Sequence, residues 1–420
     1  MTIHQAGTAD SWHGIIPSTD FPAEPDRYHL YIGHFCPFAH RVNFVRHLKG
    51  LTDIIKTSVV RAYPKGDLKG WPGWKFPESD DEYPGSTVDH LYGEDYLHKV
   101  YFRADPEYKG RYSVPLLWDT KAGTAVCNES LQMLRWLPKA FNSQIPSSLA
   151  EIDLYPSHLQ AQIDAISPWM QSDVNSGVYK AGFADTQEEY DRNVVRVFGA
   201  LNKLERIVAQ NGGPFVLGKE ITELDVMLYA TLIRFDVVYV EHFKCNLGTI
   251  RHDYPVLHNW LKGMYWDVKA ARETTDFKHI KENYTKSHWH INPKAITPLG
   301  PYPDIEEGVE RDWAKLRVGG VKHPAVLEHE ASIPDIYLPS FSSTTSLPLT
   351  PTRLFQATLY HSTYYHHTKM KFILLSALSL LAVFATANPI DIDVGAVVSG
   401  AADAAASVGA DVDAAVGDII

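Results

Sequence analysis

The chain has 420 residues, 45% of them hydrophobic and 12% aromatic, which excludes a disordered protein and leaves room for two or three domains. Its 39 basic and 50 acidic residues give a net charge of −11, excluding a general nucleic-acid binder, which needs a basic face to neutralise phosphates. Three cysteines, Cys36, Cys127 and Cys245, are too few and too scattered for a disulfide framework. They fit a reducing compartment. With no targeting segment in the polar, proline-bearing arm 1–26, a cytoplasmic location is expected for the folded body.

In chain order, Tyr28-His-Leu-Tyr-Ile32 reads as a strand, Gly33 and His34 as a turn, and Pro37 as the first residue of a helix, where its missing N–H costs nothing. Phe38, Val42 and Val45 recur at helical spacing, placing His40, Arg41 and Arg46 on other faces. Cys36 therefore sits at a helix N-terminus, where free amides and the helix dipole favour an anion and lower a thiol pKa from about 8.5 to roughly 3.5–7.5. A largely ionised thiol is expected. Ala39 stands three residues later, so an internal resolving cysteine is absent at that position and a second, external thiol is required. Further strands are expected near Thr57–Arg61, Ser113–Trp118 and Thr124–Cys127, with a hairpin turn over Asp119–Gly123. Between the second and third lies an insertion, 64–110, whose length points to function.

After Pro146 the pattern becomes helical, with helices expected over Leu159–Gln171, Gln187–Gln210, Thr222–Phe235 and Tyr254–Ala270 and a break at Asn211-Gly-Gly-Pro214. The expected organisation is an arm (1–26), a small α/β domain (27–145), a helical domain (146–300) and an extension of the folded body (301–335). Residues 336–420 read as a disordered tail. Within it 370–387 has the grammar of a secretory signal peptide, far from the N-terminus, as though a small secreted protein had been joined to this gene. An intact mass that retains Asn388–Ile420 in the native protein rules that out. No Cys-x-x-Cys pair, His-Glu-x-x-His run or phosphate-cradling glycine loop is present, so no metal or nucleotide is expected, and His288-Trp-His290 would be an adventitious ligand pair at most.

Several motifs over about residues 20–301 carry a resemblance. They are Cys36-Pro-Phe-Ala-His-Arg41, Gly73-Trp-Lys-Phe76, Tyr83-Pro-Gly-Ser-Thr87, Tyr101-Phe-Arg-Ala-Asp-Pro106, Gly110-Arg111 before Val114-Pro-Leu-Leu-Trp-Asp119, Gly177-Val-Tyr179-Lys-Ala-Gly-Phe183, Arg234 to Asn246 and Ile291-Asn-Pro293. With them the chain resembles the glutathionyl-hydroquinone reductases, the Xi class of glutathione transferases. Phe38, where the family often has Trp, and Thr285, where it often has a second Tyr, depart from the pattern.

The resemblance implies an α+β protein, a thioredoxin-like N-terminal domain followed by an all-α C-terminal domain, and a homodimer. It implies glutathione as co-substrate, glutathionylated aromatic quinols as substrates, and catalysis by Cys36 with Tyr179, Tyr239 and Tyr284. Trp74, Arg111, Val114, Glu129 and Ser130 would bind glutathione. Chemistry fits each assignment. Val114-Pro115 matches the cis-proline site whose backbone pairs with an extended peptide. Ser130 at a helix start suits the γ-glutamyl carboxylate, and Glu129 its ammonium, a plain N-cap being the alternative. Arg111 fits a glycyl carboxylate or a surface ion pair, and Trp74 a ligand contact or packing. A phenol donates to a thiolate or protonates a leaving carbon. His242 fits the same wall or an ordinary helix face. Two other readings use the same residues: an Omega-like thioltransferase or dehydroascorbate reductase, and a noncatalytic regulatory module.

Overall fold

The computed structural model describes residues 3–63 and 73–335; the expectations for 64–72 and for the tail 336–420, with its signal-like run 370–387, lie outside the described residues. Four strands, β1 (Tyr28–Ile32), β2 (Ile55–Val59), β3 (Leu116–Asp119) and β4 (Thr124–Cys127), form a sheet in the order β2-β1-β3-β4. β1 and β2 are parallel, so their connection must cross over, and α1 (Pro37–Leu48) makes that crossing. The other two pairings are antiparallel, with Leu30 opposite Leu117 and Trp118 opposite Ala125. Every residue of β1 and β3 is buried, which explains why these strands are apolar throughout instead of alternating. At the β3–β4 turn, Asp119 Oδ1 accepts from the amides of Lys121 and Ala122, and Gly123 takes φ 66°.

The insertion is partly regular. It holds α2 (Leu97–Ala104) and a bridge between Lys75 and Tyr96, neither foreseen from its Gly, Pro and aromatic content. α3 (Ser130–Ala140) follows β4 and packs on α1. The N-terminal arm lies along β4: Gly14 N–H donates to the Val126 carbonyl at 2.7 Å, Trp12 N–H to Asn128 Oδ1 at 2.8 Å, and His13 bridges to Cys127.

The second half is helical: α4 (Ser147–Ala150), α5 (Gln160–Met170), α6 (Gly177–Gly182), α7 (Gln187–Asn211), α8 (Glu223–Arg234), α9 (Ile250–Asp253), α10 (Pro255–Asp267), α11 (Lys269–Glu273), α12 (Phe277–Ser287) and α13 (Pro324–Ser332). The long α7 starts on the Thr186 hydroxyl, which accepts from Glu189 N–H, and stops at Gly212 with φ 69°. α8 is buried along its whole length and is the pillar of this half. Its first turn is fixed by Asp225, which accepts from the amides of Val216 and Thr222 and from Trp260 Nε1. Two helices pass into π turns. Ser176 N–H reaches Gln171 O across Gln171–Asn175, and Val240 N–H reaches Phe235 O across Phe235–Tyr239.

The periodicity of α1 needs correction. Arg41 is 1% exposed, and His40 and Arg46 are buried, because α3 covers one face of α1 while α8 and α11 cover another. Charged residues that a lone helix would show to water thus lie between the halves. The expected α+β arrangement stands, a small mixed sheet with its helices followed by an all-helical half.

Candidate active site

The site starts where β1 ends. Arg234, from the end of α8, grips the turn after it: Nε donates to Phe35 O and Nη2 to His34 O, both at 2.9 Å. Cys36 follows in an extended conformation and caps α1, its sulfur accepting from Ala39 N–H at 3.5 Å. The helix end is therefore aimed at sulfur, as the sequence implies. The charge state is not as expected. Cys36 is 1% exposed, and burial pushes its thiol above the ordinary value, against the downward pull of the Ala39 and Phe38 amides, Arg234 and Arg41. The thiol hydrogen points at the Val114 carbonyl, 3.3 Å from sulfur, where the Val114-Pro115 bond is cis as the resemblance implies.

Phe35, Cys36, Pro37, Trp74, Tyr179, Asn283, Tyr284 and His288 line one narrow cleft, whose free volume of ≈ 10 Å³ holds about one water. Trp74 is buried with its ring centroid 4.3 Å from that of Phe35. Tyr179 from α6 and Tyr284 from α12 share a hydrogen bond between their hydroxyls. Tyr239, from the second π turn, closes the group from behind, 3.0 Å from the Tyr284 oxygen and 3.5 Å from that of Tyr179. Burial raises the pKa of all three phenols, so they are protonated donors at neutral pH. Phe38 lies 6.3 Å from the Tyr179 ring and carries the Arg41 guanidinium over its face at 4.9 Å.

Of the residues expected to act, Cys36, Trp74, Tyr179 and Tyr284 meet in the cleft, while Tyr239 and the Val114 carbonyl stand one contact behind. Glu129, Ser130 and Arg111 are not among the lining residues. Glu129 is the N-cap of α3 but its side chain makes no capping bond; its Oε1 accepts instead from the Ser11 hydroxyl of the arm at 2.7 Å. Ser130 opens that helix and is buried. The Arg111 carbonyl accepts from Tyr108. His242 lies outside the lining as well and bonds His288 at 3.0 Å between Nε2 and Nδ1. Cys127 and Cys245 are packed in apolar surroundings, and burial lifts the Cys127 thiol to about 12.

Sequence reasoning missed Asn283 and His288 in the wall and set His288 aside as a stray metal ligand. The signal was its position, one turn beyond Tyr284 at the C-cap of α12. Among the described residues no group of three or more His, Cys, Asp or Glu side chains could hold a metal ion, and no helix is long and apolar enough to cross a membrane.

Both halves of the chain match a known family. Residues 35–140 match the glutathione S-transferase N-terminal domain and 187–263 the C-terminal domain. Glutathione S-transferase omega-like 2 of Schizosaccharomyces pombe is 51% identical over 68% of this chain and 89% of its own. The glutathionyl-hydroquinone reductase YqjG of Escherichia coli is 43% identical over 73% of this chain and 88% of its own. Among solved structures, the Xi glutathione transferase of Phanerochaete chrysosporium superposes with a TM-score of 0.67 at 42% identity, over 73% of this chain and 97% of that one. With its thiol at a helix start, a cis-proline carbonyl on that thiol and a helical second half, the chain belongs to the glutathione transferase family of enzymes, in the Xi class, with glutathione as co-substrate.

Proposed function

We propose that the protein is a glutathione-dependent reductase of glutathionyl-hydroquinones. One observation carries the reading: Cys36 opens on the same cleft as the hydrogen-bonded hydroxyls of Tyr179 and Tyr284. The Cys36 thiolate attacks the sulfur of the glutathionyl-hydroquinone. A sulfur–sulfur bond forms, the carbon–sulfur bond breaks, and its electron pair stays on the ring carbon, which takes a proton and leaves as hydroquinone. A second glutathione thiolate attacks the mixed disulfide, releasing glutathione disulfide and the Cys36 thiolate. The carbon leaving group is the hard part. It needs a positioned acid, and a protonated phenol held by two others is one. The Escherichia coli relative, named glutathionyl-hydroquinone reductase, supports the substrate class.

In this reading Glu129 holds the γ-glutamyl ammonium, Ser130 its carboxylate, Arg111 the glycyl carboxylate and the Val114 backbone the cysteinyl segment, with Trp74 against the peptide. A cytoplasmic location and a homodimer belong to the same reading, the latter checked by light scattering. The deciding experiment is turnover of glutathionyl-menadiol with glutathione, compared with a simple glutathione mixed disulfide. Reduction of both supports the proposal; reduction of the mixed disulfide alone makes the protein a thioltransferase, and an unreactive Cys36 makes it a binding module.

A further inference from the structure

Two arginines beside Cys36 are buried without an anionic partner. Arg234, 0% exposed, spends its donors on Phe35 O, His34 O, Ala230 O and His40 Nδ1, the last at 3.0 Å. A guanidinium only donates, so His40 Nδ1 is bare and His40 is neutral. Its Nε2–H then donates to the Thr274 hydroxyl at 2.9 Å, which donates to Ala270 O at 2.7 Å. No negative charge enters this chain. Arg41, 1% exposed, donates from Nη2 to Gln171 Oε1 at 2.8 Å, while Nε and Nη1 have no hydrogen-bond partner. Among the described residues neither arginine is ion-paired with a carboxylate.

A cation buried with neutral partners alone is costly, so an anion belonging to the working enzyme is expected nearby. The groups facing Cys36 leave few choices. Tyr179, Tyr239 and Tyr284 are protonated phenols, and His288 lines the same cleft. Glu223, whose field reaches Arg41, is ion-paired with Arg135 at 2.8 Å, and burial lifts its pKa to about 7. That leaves the sulfur. Both arginines favour its ionised form electrostatically.

We propose that Arg41 and Arg234 are the counter-charges of the Cys36 thiolate: Arg234 fixes the turn and supplies charge, and Arg41 supplies charge from uncommitted donors. They are positioning residues, acting through Cys36, and the inference rests on reading Cys36 as the nucleophile. Burial outweighs the helix end and both arginines in the free protein, so each guanidinium removed takes the thiol further from its reactive, ionised form.

The test is the pH profile of Cys36 alkylation by iodoacetamide, followed at that residue by mass spectrometry. For Arg41→Met the midpoint should rise by about one pH unit, lowering the rate at pH 7 about tenfold, and Arg41→Lys should stay near wild type. Glu223→Gln, which removes the competing anion, should move the midpoint down. A profile unchanged in Arg41→Met overturns the proposal. Should that variant not fold, an unchanged midpoint in Glu223→Gln overturns it equally. Wild-type turnover of glutathionyl-menadiol is measured alongside: shifted profiles with no turnover would sink the substrate reading and leave the charge assignment standing.

Discussion

The two walls of the cleft are made of different materials. On the side of the sheet, the contacts to the Cys36 sulfur are backbone, the Ala39 amide and the Val114 carbonyl. The helical side supplies side chains alone, three phenols from three separate elements and the guanidinium of Arg234. Backbone geometry tolerates many sequences, so the first wall suits any cysteine enzyme that takes a peptide thiol. Side chains are replaceable one at a time, so in the proposed reductase reading the second wall is where the leaving group is chosen.

Substitutions should separate the walls. Cys36→Ser, the largest effect, should lower turnover of every glutathionylated substrate by at least about 10³-fold; residual activity near wild type would refute the nucleophile. Tyr179→Phe should cut kcat on glutathionyl-menadiol by about 10²-fold while barely changing reduction of a simple mixed disulfide, whose sulfur leaving group needs no carbon protonation. Equal losses on both substrates would erase the division of labour. Glu129→Gln should raise the glutathione KM about tenfold with kcat held, as expected when one charge-assisted bond is lost; an unchanged KM places the ammonium elsewhere. The smallest effect concerns stability. Glu223 has its pKa raised to about 7 in the fold, so the folded state holds its proton more tightly and stability declines as pH rises from about 4.5 to 7. Chemical denaturation of Glu223→Gln should show that slope flattened relative to wild type.

The sheet wall was legible in the sequence because its signals are local. Strand, turn, Cys-Pro and helix occupy adjacent residues, and the hairpin of β3 and β4 announces itself through Asp119 and Gly123. The helical wall was legible only through resemblance, since Tyr179, Tyr239 and Tyr284 are far apart in sequence and nothing in their spacing brings their hydroxyls together. Arg41 was misread for a related reason. Helical periodicity describes a helix against one surface, whereas α1 is enclosed by two domains, so a residue assigned to an outer face ended 1% exposed. The thiol followed suit: the helix end was placed correctly, but its burial depends on the second domain, which no local pattern reports.

The two π turns bear on how such a site could change over time. Each packs one more residue into a turn than an α-helix does, at Gln171–Asn175 before Tyr179 and at Phe235–Tyr239, which carries Tyr239 itself. Removing that surplus residue from either would let the turn relax to α while the helix beyond it kept its direction, because a residue accommodated within one widened turn adds no net rotation. At the second turn the backbone that changes is the short segment carrying Tyr239, while α8 before it keeps its place. These two points are therefore where the helical wall can gain or lose a residue without disturbing the thiol or the core.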